Sequence, residues 1–243
     1  MNLWGIARLD DFDPALCRGS KISERHEGAR SVIVIGAGGR DLFDSYLGSM
    51  SVREHASNAG SARIASFASW ARHLVENEVG HLKRAGYAAQ AVYPNDPRQT
   101  CFAQMAETAG LVVASPVVDL LLHPKFGPWV DVRAAIVVDT ALPSTGELEF
   151  DPCSGCSAPC LKACPAGTYS EAGRSELARC ADHRQSGGCY EGCDVRRACP
   201  IGRDQAFAPE QERMRQSQKL SWMRRTFGLG IWRWVPTGLR RRF

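Results

Sequence analysis

Eight of the ten cysteines in this 243-residue chain lie between residues 153 and 199. They come as two sets. The stretch DPCSGCSAPCLKACPAG, residues 151–167, holds Cys153, Cys156, Cys160 and Cys164 and leads into Pro165. The stretch CADHRQSGGCYEGCDVRRACP adds Cys180, Cys189, Cys193 and Cys199 and closes on Pro200. Around them Gly and Pro are frequent and large aliphatic residues few. A region so small, with so little to bury, cannot be ordered by hydrophobic burial alone, so the thiols are expected to hold something that orders it.

Three chemistries compete for eight thiols. Disulfides suit an even count, but the opening MNLWGIARLDDFD turns acidic where a secretory signal would be basic and then apolar, so a reducing, cytoplasmic setting is expected. The longest apolar run, GLVVASPVVDLLL, is broken by Ser115, Pro116 and Asp119 and falls short of the roughly 20 residues that span a bilayer, so no transmembrane helix is expected. Structural zinc favours paired knuckles well separated in sequence, whereas here only Cys153 and Cys156 form a tight pair and two cysteines follow at once. Iron–sulfur clusters fit better. The ferredoxin run is C-x2-C-x2-C-x3-C-P, with its fourth cysteine on the other cluster. Cys153-x2-Cys156-x3-Cys160-x3-Cys164-Pro165 matches it apart from one extra residue around Ala158-Pro159. The second set, Cys180-x8-Cys189-x3-Cys193-x5-Cys199-Pro200, is looser, yet eight thiolates satisfy two 4Fe–4S clusters with none left over. The proline after each set's last cysteine turns the chain back and lets the sets exchange a ligand. This reading puts Cys153, Cys156, Cys160 and Cys199 on one cluster, and Cys164, Cys180, Cys189 and Cys193 on the other.

The first 150 residues read differently. LWGIARL (3–9) and SVIVIGAGG (31–39) are short apolar runs ending in polar or glycine-rich punctuation, as buried strands do. Residues 61–86 place Ile64, Phe67, Trp70/Ala71, Leu74, Glu78 and Leu82 at helical spacing, with Gly86 as a stop. Residues 87–94 follow as a strand, 100–110 as a second helix with Thr100 as N-cap, and 129–139 as a strand leading toward the cysteines. Strands separated by helices favour an α/β layer architecture. Three regions are therefore expected: an α/β domain over 1–150, a small cysteine domain over 151–208 and a tail over 209–243.

Charge sets the tail apart. From Arg213 to Phe243 there are nine Lys/Arg and no acid, so a segment of +9 hangs from a body of −5 within a net +4. Three of six tryptophans, Trp222, Trp232 and Trp234, sit in it. That combination suits RNA, with its phosphates and stackable bases, or an anionic surface. The alternative is an amphipathic segment that packs Leu220, Met223 and Phe227 onto the body.

At these residues the chain resembles the epoxyqueuosine reductases and their relatives, cobalamin-dependent iron–sulfur enzymes related to reductive dehalogenases. The resemblance rests on the eight-cysteine pattern, on ARSVIVIGAG (29–38), and on AETAGLV (106–112) followed by LLLHPKFGPWVDVRAAIVVDTALP (120–143) leading into the cysteines. It implies a flavin-reductase-like α/β domain that holds the corrinoid, followed by a ferredoxin-like double-cluster domain that passes it electrons. It also implies a proton-donating aspartate upstream of Ala109, a position that falls on Asp96. Two departures stand out: VVASPVV (112–118) replaces the family's Gly-Trp-Ile-Gly-Lys-Asn-like loop, and residues 209–243 are expected to form a tail rather than the helical-repeat domain that many members carry there.

The remaining signals read as structural. GAGGRD (36–41) lacks the spacing of a phosphate loop and suits a strand-end turn. His73, His81 and His123 have no second ligand at metal spacing. Cys17 and Cys101 are isolated, as small buried hydrophobes are. Function is expected to be that of an iron–sulfur oxidoreductase, drawing electrons from a ferredoxin or flavodoxin-type donor and passing them to a cofactor such as cobalamin. The alternatives are a non-catalytic ferredoxin-type carrier and a corrinoid-handling or reactivating protein.

Overall fold

The computed structural model describes residues 1–15, 21–56, 66–94, 102–170 and 176–227. Cys17, Asp96, Thr100, Cys101, Trp232 and Trp234 lie outside the described residues. The described strands are β1 (Leu3–Arg8), β2 (Ser31–Gly38), β3 (Ala89–Val92), β4 (Val113–Ala114), β5 (Leu121–Leu122) and β6 (Val130–Val138). The described helices are α1 (Leu9–Phe12), α2 (Asp41–Ala56), α3 (Phe67–Arg84), α4 (Phe102–Thr108), α5 (Pro159–Ala163), α6 (Leu177–Gln185), α7 (Asp194–Ala198) and α8 (Pro209–Phe227). None is long and apolar enough to cross a membrane. The chain divides into two compact units, Met1–Val113 with Val130–Phe150, and Ala114–Trp129 with Asp151–Phe243.

The first unit is built on a four-stranded sheet in the order β1-β2-β6-β3. The expected mixture of helices and strands is present, but every neighbouring pair of strands is antiparallel. Register places Ile33 opposite both Ile6 and Ile136, and Ile35 opposite both Trp4 and Ala134. Those side chains share one face because strand residues alternate with period two. Helix α3 covers part of that face, packing Val75 and Val79 against Ala89, Ala134, Ile136 and Val138.

Helix α3 has local causes at both ends. The Ser66 hydroxyl accepts the Ser69 N–H at 3.2 Å, satisfying one of the donors that every helix N-terminus leaves free. At the other end Gly86 takes φ +94°, its N–H reaches the Lys83 carbonyl, and the Tyr87 N–H reaches the Leu82 carbonyl. This is a Schellman stop, and it needs the left-handed conformation that glycine adopts without strain. The buried stripe is Phe67, Ala71, Val75 and Val79: Phe67 and Ala71 belong to the expected face and Leu82 packs half-buried beside it, but Val75 and Val79 take the places expected of Leu74 and Glu78.

The second unit differs from the expected boundaries twice. Residues 114–129, expected with the α/β region, belong to it. Gly127 (φ +52°) and Gly202 (φ +65°) lie backbone to backbone, so a Cβ on Gly127 would collide with the Ile201 carbonyl and one on Gly202 with Phe126 and Gly127. Arg196 also donates to the Pro128 carbonyl. These contacts bind 126–128 to the segment just past Cys199. Likewise residues 209–227, expected as the start of a tail, form α8, whose Met223 is buried against Ala178 and Ala181 of α6. Arg213 pairs with Glu191 and Glu210 at 2.9 and 3.0 Å, so part of the tail's charge is matched within the unit.

Candidate metal centre

The first cysteine set is shaped by turns and one short helix. The Cys156 N–H reaches the Cys153 carbonyl at 3.2 Å, closing a turn that brings the two thiols to one side. Ala158 then takes the left-handed conformation, φ 48° and ψ 52°, and Pro159 opens α5. The residue in excess of the ferredoxin spacing is thus taken up as one left-handed step before a proline, which is preorganised for a first helical turn. Cys153, Cys156, Cys160 and Cys199 line one cavity, whose other walls include Val117, Val118, Leu122, Pro159 and Ile201. Ser115 Oγ accepts the N–H groups of Val117 and Val118 at 3.2 Å each and lies 3.5 Å from Cys153 Sγ. With its lone pairs so engaged, the hydroxyl is oriented to donate its proton to that sulfur.

The second set is gathered by α6, α7 and the loop after α5. Cys164 caps α5 in extended conformation and its Sγ accepts the Thr168 N–H at 3.4 Å. Cys180 lies on α6, and Arg184 one turn on donates from Nε to its Sγ at 3.3 Å. Arg184 is itself buried and donates a further hydrogen bond to Gln216 Oε1 of α8. Cys189 takes φ 54° among Gly187, Gly188 and Gly192, and Cys193 is the N-cap of α7. Helix α7 packs on α5 and ends at Cys199, so each of these two short helices runs between a cysteine of one group and a cysteine of the other.

The electrostatics follow the grouping. Burial, then the nearby Cys199 and Cys153 thiols, push the Cys160 thiol up from its ordinary value. Burial likewise raises Cys199, with Cys153 and Cys156 adding to it and the Ile201 amide opposing. Cys189 is raised by burial and then Cys193, with Arg184 opposing. Tyr169 is raised strongly by burial, then by Asp119, Cys193, Cys180 and Cys164. Four thiolates so placed repel one another, and a cationic core would relieve that repulsion.

The donor set fits iron–sulfur clusters. None of the eight cysteines is disulfide-bonded, all are half-buried, and sulfur is the ligand such clusters take. Thr168 Oγ1 is buried without a hydrogen-bond partner on the residue whose amide already reaches Cys164 Sγ. An inorganic sulfide or thiolate beside it would satisfy that donor. Among the described residues no three His, Cys, Asp or Glu side chains converge on the spacing of a single ion. A four-iron cluster makes no such demand, because it takes one thiolate at each iron.

Other sequence candidates fall elsewhere. His123 Nδ1 accepts the N–H groups of Lys125 and Phe126 at 3.0 and 3.3 Å, and burial followed by Lys125 lowers its pKa, so it holds a turn as a neutral ring. His73 is exposed on α3, and His81 there pairs with Glu78 at 3.4 Å. Sequence reasoning gives no site role to Ser115, Thr168, Tyr169 or Arg184. Only Arg184 has a local signal, one helical turn beyond Cys180.

The architecture is that of a known class of redox enzyme structures. Epoxyqueuosine reductase from Bacillus subtilis is similar over 87% of this chain and 64% of its own, with TM-score 0.59 and 14% identity. The Streptococcus thermophilus enzyme is similar over 96% and 74%, with TM-score 0.55 and 14% identity. A reductive dehalogenase whose structure suggests a mechanism for B12-dependent dehalogenation is similar over 91% and 32%, with TM-score 0.56 and 18% identity. An epoxyqueuosine reductase solved with an epoxyqueuosine-modified tRNA stem loop has TM-score 0.58 at 14% identity. The chain shares the fold of these enzymes and spans about two thirds of the Bacillus protein and one third of the dehalogenase. No family's sequence model and no curated protein sequence matches it.

Proposed function

We propose that this chain is an iron–sulfur oxidoreductase that relays single electrons through two 4Fe–4S clusters, one on Cys153, Cys156, Cys160 and Cys199, the other on Cys164, Cys180, Cys189 and Cys193. The observation that carries the reading is the gathering of eight unpaired, half-buried thiols in one small unit, with a buried hydroxyl and a buried guanidinium beside the second group. When bound, the clusters supply one-electron chemistry. The chain's own residues hold them, shield them from water and direct hydrogen bonds at the sulfurs. Electrons enter from a ferredoxin or flavodoxin-type donor.

The fold's counterparts bring in cobalamin as an acceptor, but residues 111–126 do not fit that role. No residue between Gly110 and Gly127 has a positive φ, and Ser115, Val117 and Val118 turn toward the first cysteine set. The glycine-rich loop of the resembled family therefore has no counterpart in backbone or in side chains. Asp96, the proton donor the resemblance implies, lies outside the described residues. We accordingly assign the acceptor to a partner rather than to a resident corrinoid.

Anaerobic purification with metal and sulfide analysis tests the relay, with about eight iron and eight sulfide per chain expected for two such clusters. Two zinc per chain without broad visible absorption would overturn it. Titration with cob(II)alamin tests the acceptor separately. No spectral change is expected, and saturable binding would restore the corrinoid and make Asp96→Ala the next variant to assay.

A further inference from the structure

The two cysteine groups have unequal surroundings. The first cavity is walled by Val117, Val118, Leu122, Pro159 and Ile201, and its polar neighbour is the neutral Ser115 hydroxyl. Arg203, which acts electrostatically on Cys199, is exposed and bonds that residue's carbonyl at 3.4 Å rather than a sulfur. In the second group Arg184, only 5% exposed, donates directly to Cys180 Sγ at 3.3 Å and acts on Cys189 as well. The unpartnered Thr168 hydroxyl is the second group's counterpart of the Ser115 hydroxyl at the first, so the buried cation is what sets the two groups apart.

Reducing a cluster adds one electron to an already anionic assembly. A buried cation that hydrogen-bonds a ligating sulfur stabilises the reduced form more than the oxidised form, and burial keeps salt from screening it. Hydrogen bonds to sulfur, net charge and solvent exposure set the potentials of such centres. Resting on the two-cluster reading above, we infer that Arg184 makes the cluster on Cys164, Cys180, Cys189 and Cys193 the higher-potential of the two. One electron then passes downhill from the reduced first cluster to the oxidised second. No bond is made or broken and no proton moves, and a one-electron donor restores the first cluster. Gln216 holds Arg184 in place by accepting its second hydrogen bond.

The test is an EPR-monitored redox titration of the full-length holoprotein and its variants, with iron counted in each. The wild type should show two waves. Arg184→Gln should lower the upper wave alone, by about tenfold in the one-electron equilibrium, or about 59 mV. Arg184→Lys, which keeps the charge, should lower it less. Thr168→Val leaves Arg184 intact and should produce a small drop in the same wave, so it keeps the inference testable if Arg184→Gln fails to fold. Cys164→Ser should abolish the upper wave and Cys153→Ser the lower. The inference is overturned if the Arg184 and Thr168 variants shift the lower wave, both waves equally or neither, or if Cys153→Ser removes the upper one. A wild type without iron would overturn the two-cluster reading itself, whereas about eight iron with unmoved waves would overturn only the role of Arg184.

Discussion

In the unit made of Met1–Val113 and Val130–Phe150 the interior is Phe12, Val32, Val34, Phe67, Val75, Ile136 and Val138, all essentially inaccessible. In the unit made of Ala114–Trp129 and Asp151–Phe243, only Met223 and Thr168 rank among the twelve largest fully buried side chains of the described residues. Among the described residues, that same unit holds five of the seven buried polar ones: Thr168, Arg184, Gln211, Glu212 and Gln216. The first unit can fold on transferred apolar surface, at about 1.5–3 kcal/mol for each large side chain fully buried. The second has a poor core and many polar groups to satisfy, so on the proposed reading its order depends on what its thiols bind. The difference teaches that a small cysteine-rich unit can keep polar groups inside by pairing them with one another, Arg184 with Gln216 and Arg197 with Glu212.

The largest test of this contrast is removal of iron. Chelation should make residues 151–227 susceptible to proteolysis and hydrogen exchange while the sheet β1-β2-β6-β3 stays protected. Cys153→Ser and Cys164→Ser should each lower iron from about eight to about four per chain. They should do so by losing different clusters, as EPR would show. If both lose the same cluster, the exchange of Cys164 and Cys199 between the sets is wrong.

Ile136→Ala is the converse perturbation. It empties a site 1% exposed beneath α3 and should cost about 2–5 kcal/mol of the first unit's stability, read by denaturant melts, with iron content unchanged. Loss of iron in this variant would show that the two regions do not stand independently.

A third test concerns where the second region ends. Removing residues 228–243 takes away four of the tail's nine cationic residues while leaving α8 and Met223 in place. If the tail binds RNA, the slope of log affinity against log salt should flatten by about 0.7–0.9 for each phosphate that the shortened chain no longer neutralises, with iron unaffected. An unchanged slope would confine any RNA binding to residues before Gly228.

The pH dependence should run in opposite directions in the two forms. Because burial raises Cys160, Cys189 and Cys199, the iron-free chain should keep the resulting stability below the free-thiol pKa and lose it as pH rises through the folded values. Cluster assembly needs thiolates and releases protons, so reconstitution should improve over the same rise. Thermal melts of the iron-free chain and reconstitution yields across alkaline pH would check both signs. The smallest effect belongs to Ala158→Gly, which removes a Cβ from a left-handed step and should stabilise the holoprotein by at most about 1 kcal/mol, seen as a slightly higher Tm.

Much of this was legible in the residues themselves. The strands β1, β2, β3 and β6 came from short apolar runs with glycine or polar punctuation, and α3 from its period and from Gly86, because those signals are local. Helix α2 gave none. Among its described side chains the buried ones, Leu42 and Phe43, crowd the first turn, and Ser45, Gly48 and Ser49 follow without a repeating apolar face. The cysteine pattern was equally local, since spacing alone limits which thiols a short turn can present together.

What the tertiary structure decided is everything that depends on pairing across distance. Sequence order could not say that β6 would lie between β2 and β3 with every neighbour antiparallel, because register is settled between segments about a hundred residues apart. Nor could it say that Gly127 would meet Gly202 and draw 114–129 toward the cysteines, or that Met223 would make α8 part of a core. The donors at sulfur show the same division. Arg184 stands one helical turn from Cys180 in any helix, but its burial depends on Gln216 arriving from α8, and only a packed structure removes the water that would otherwise screen its charge.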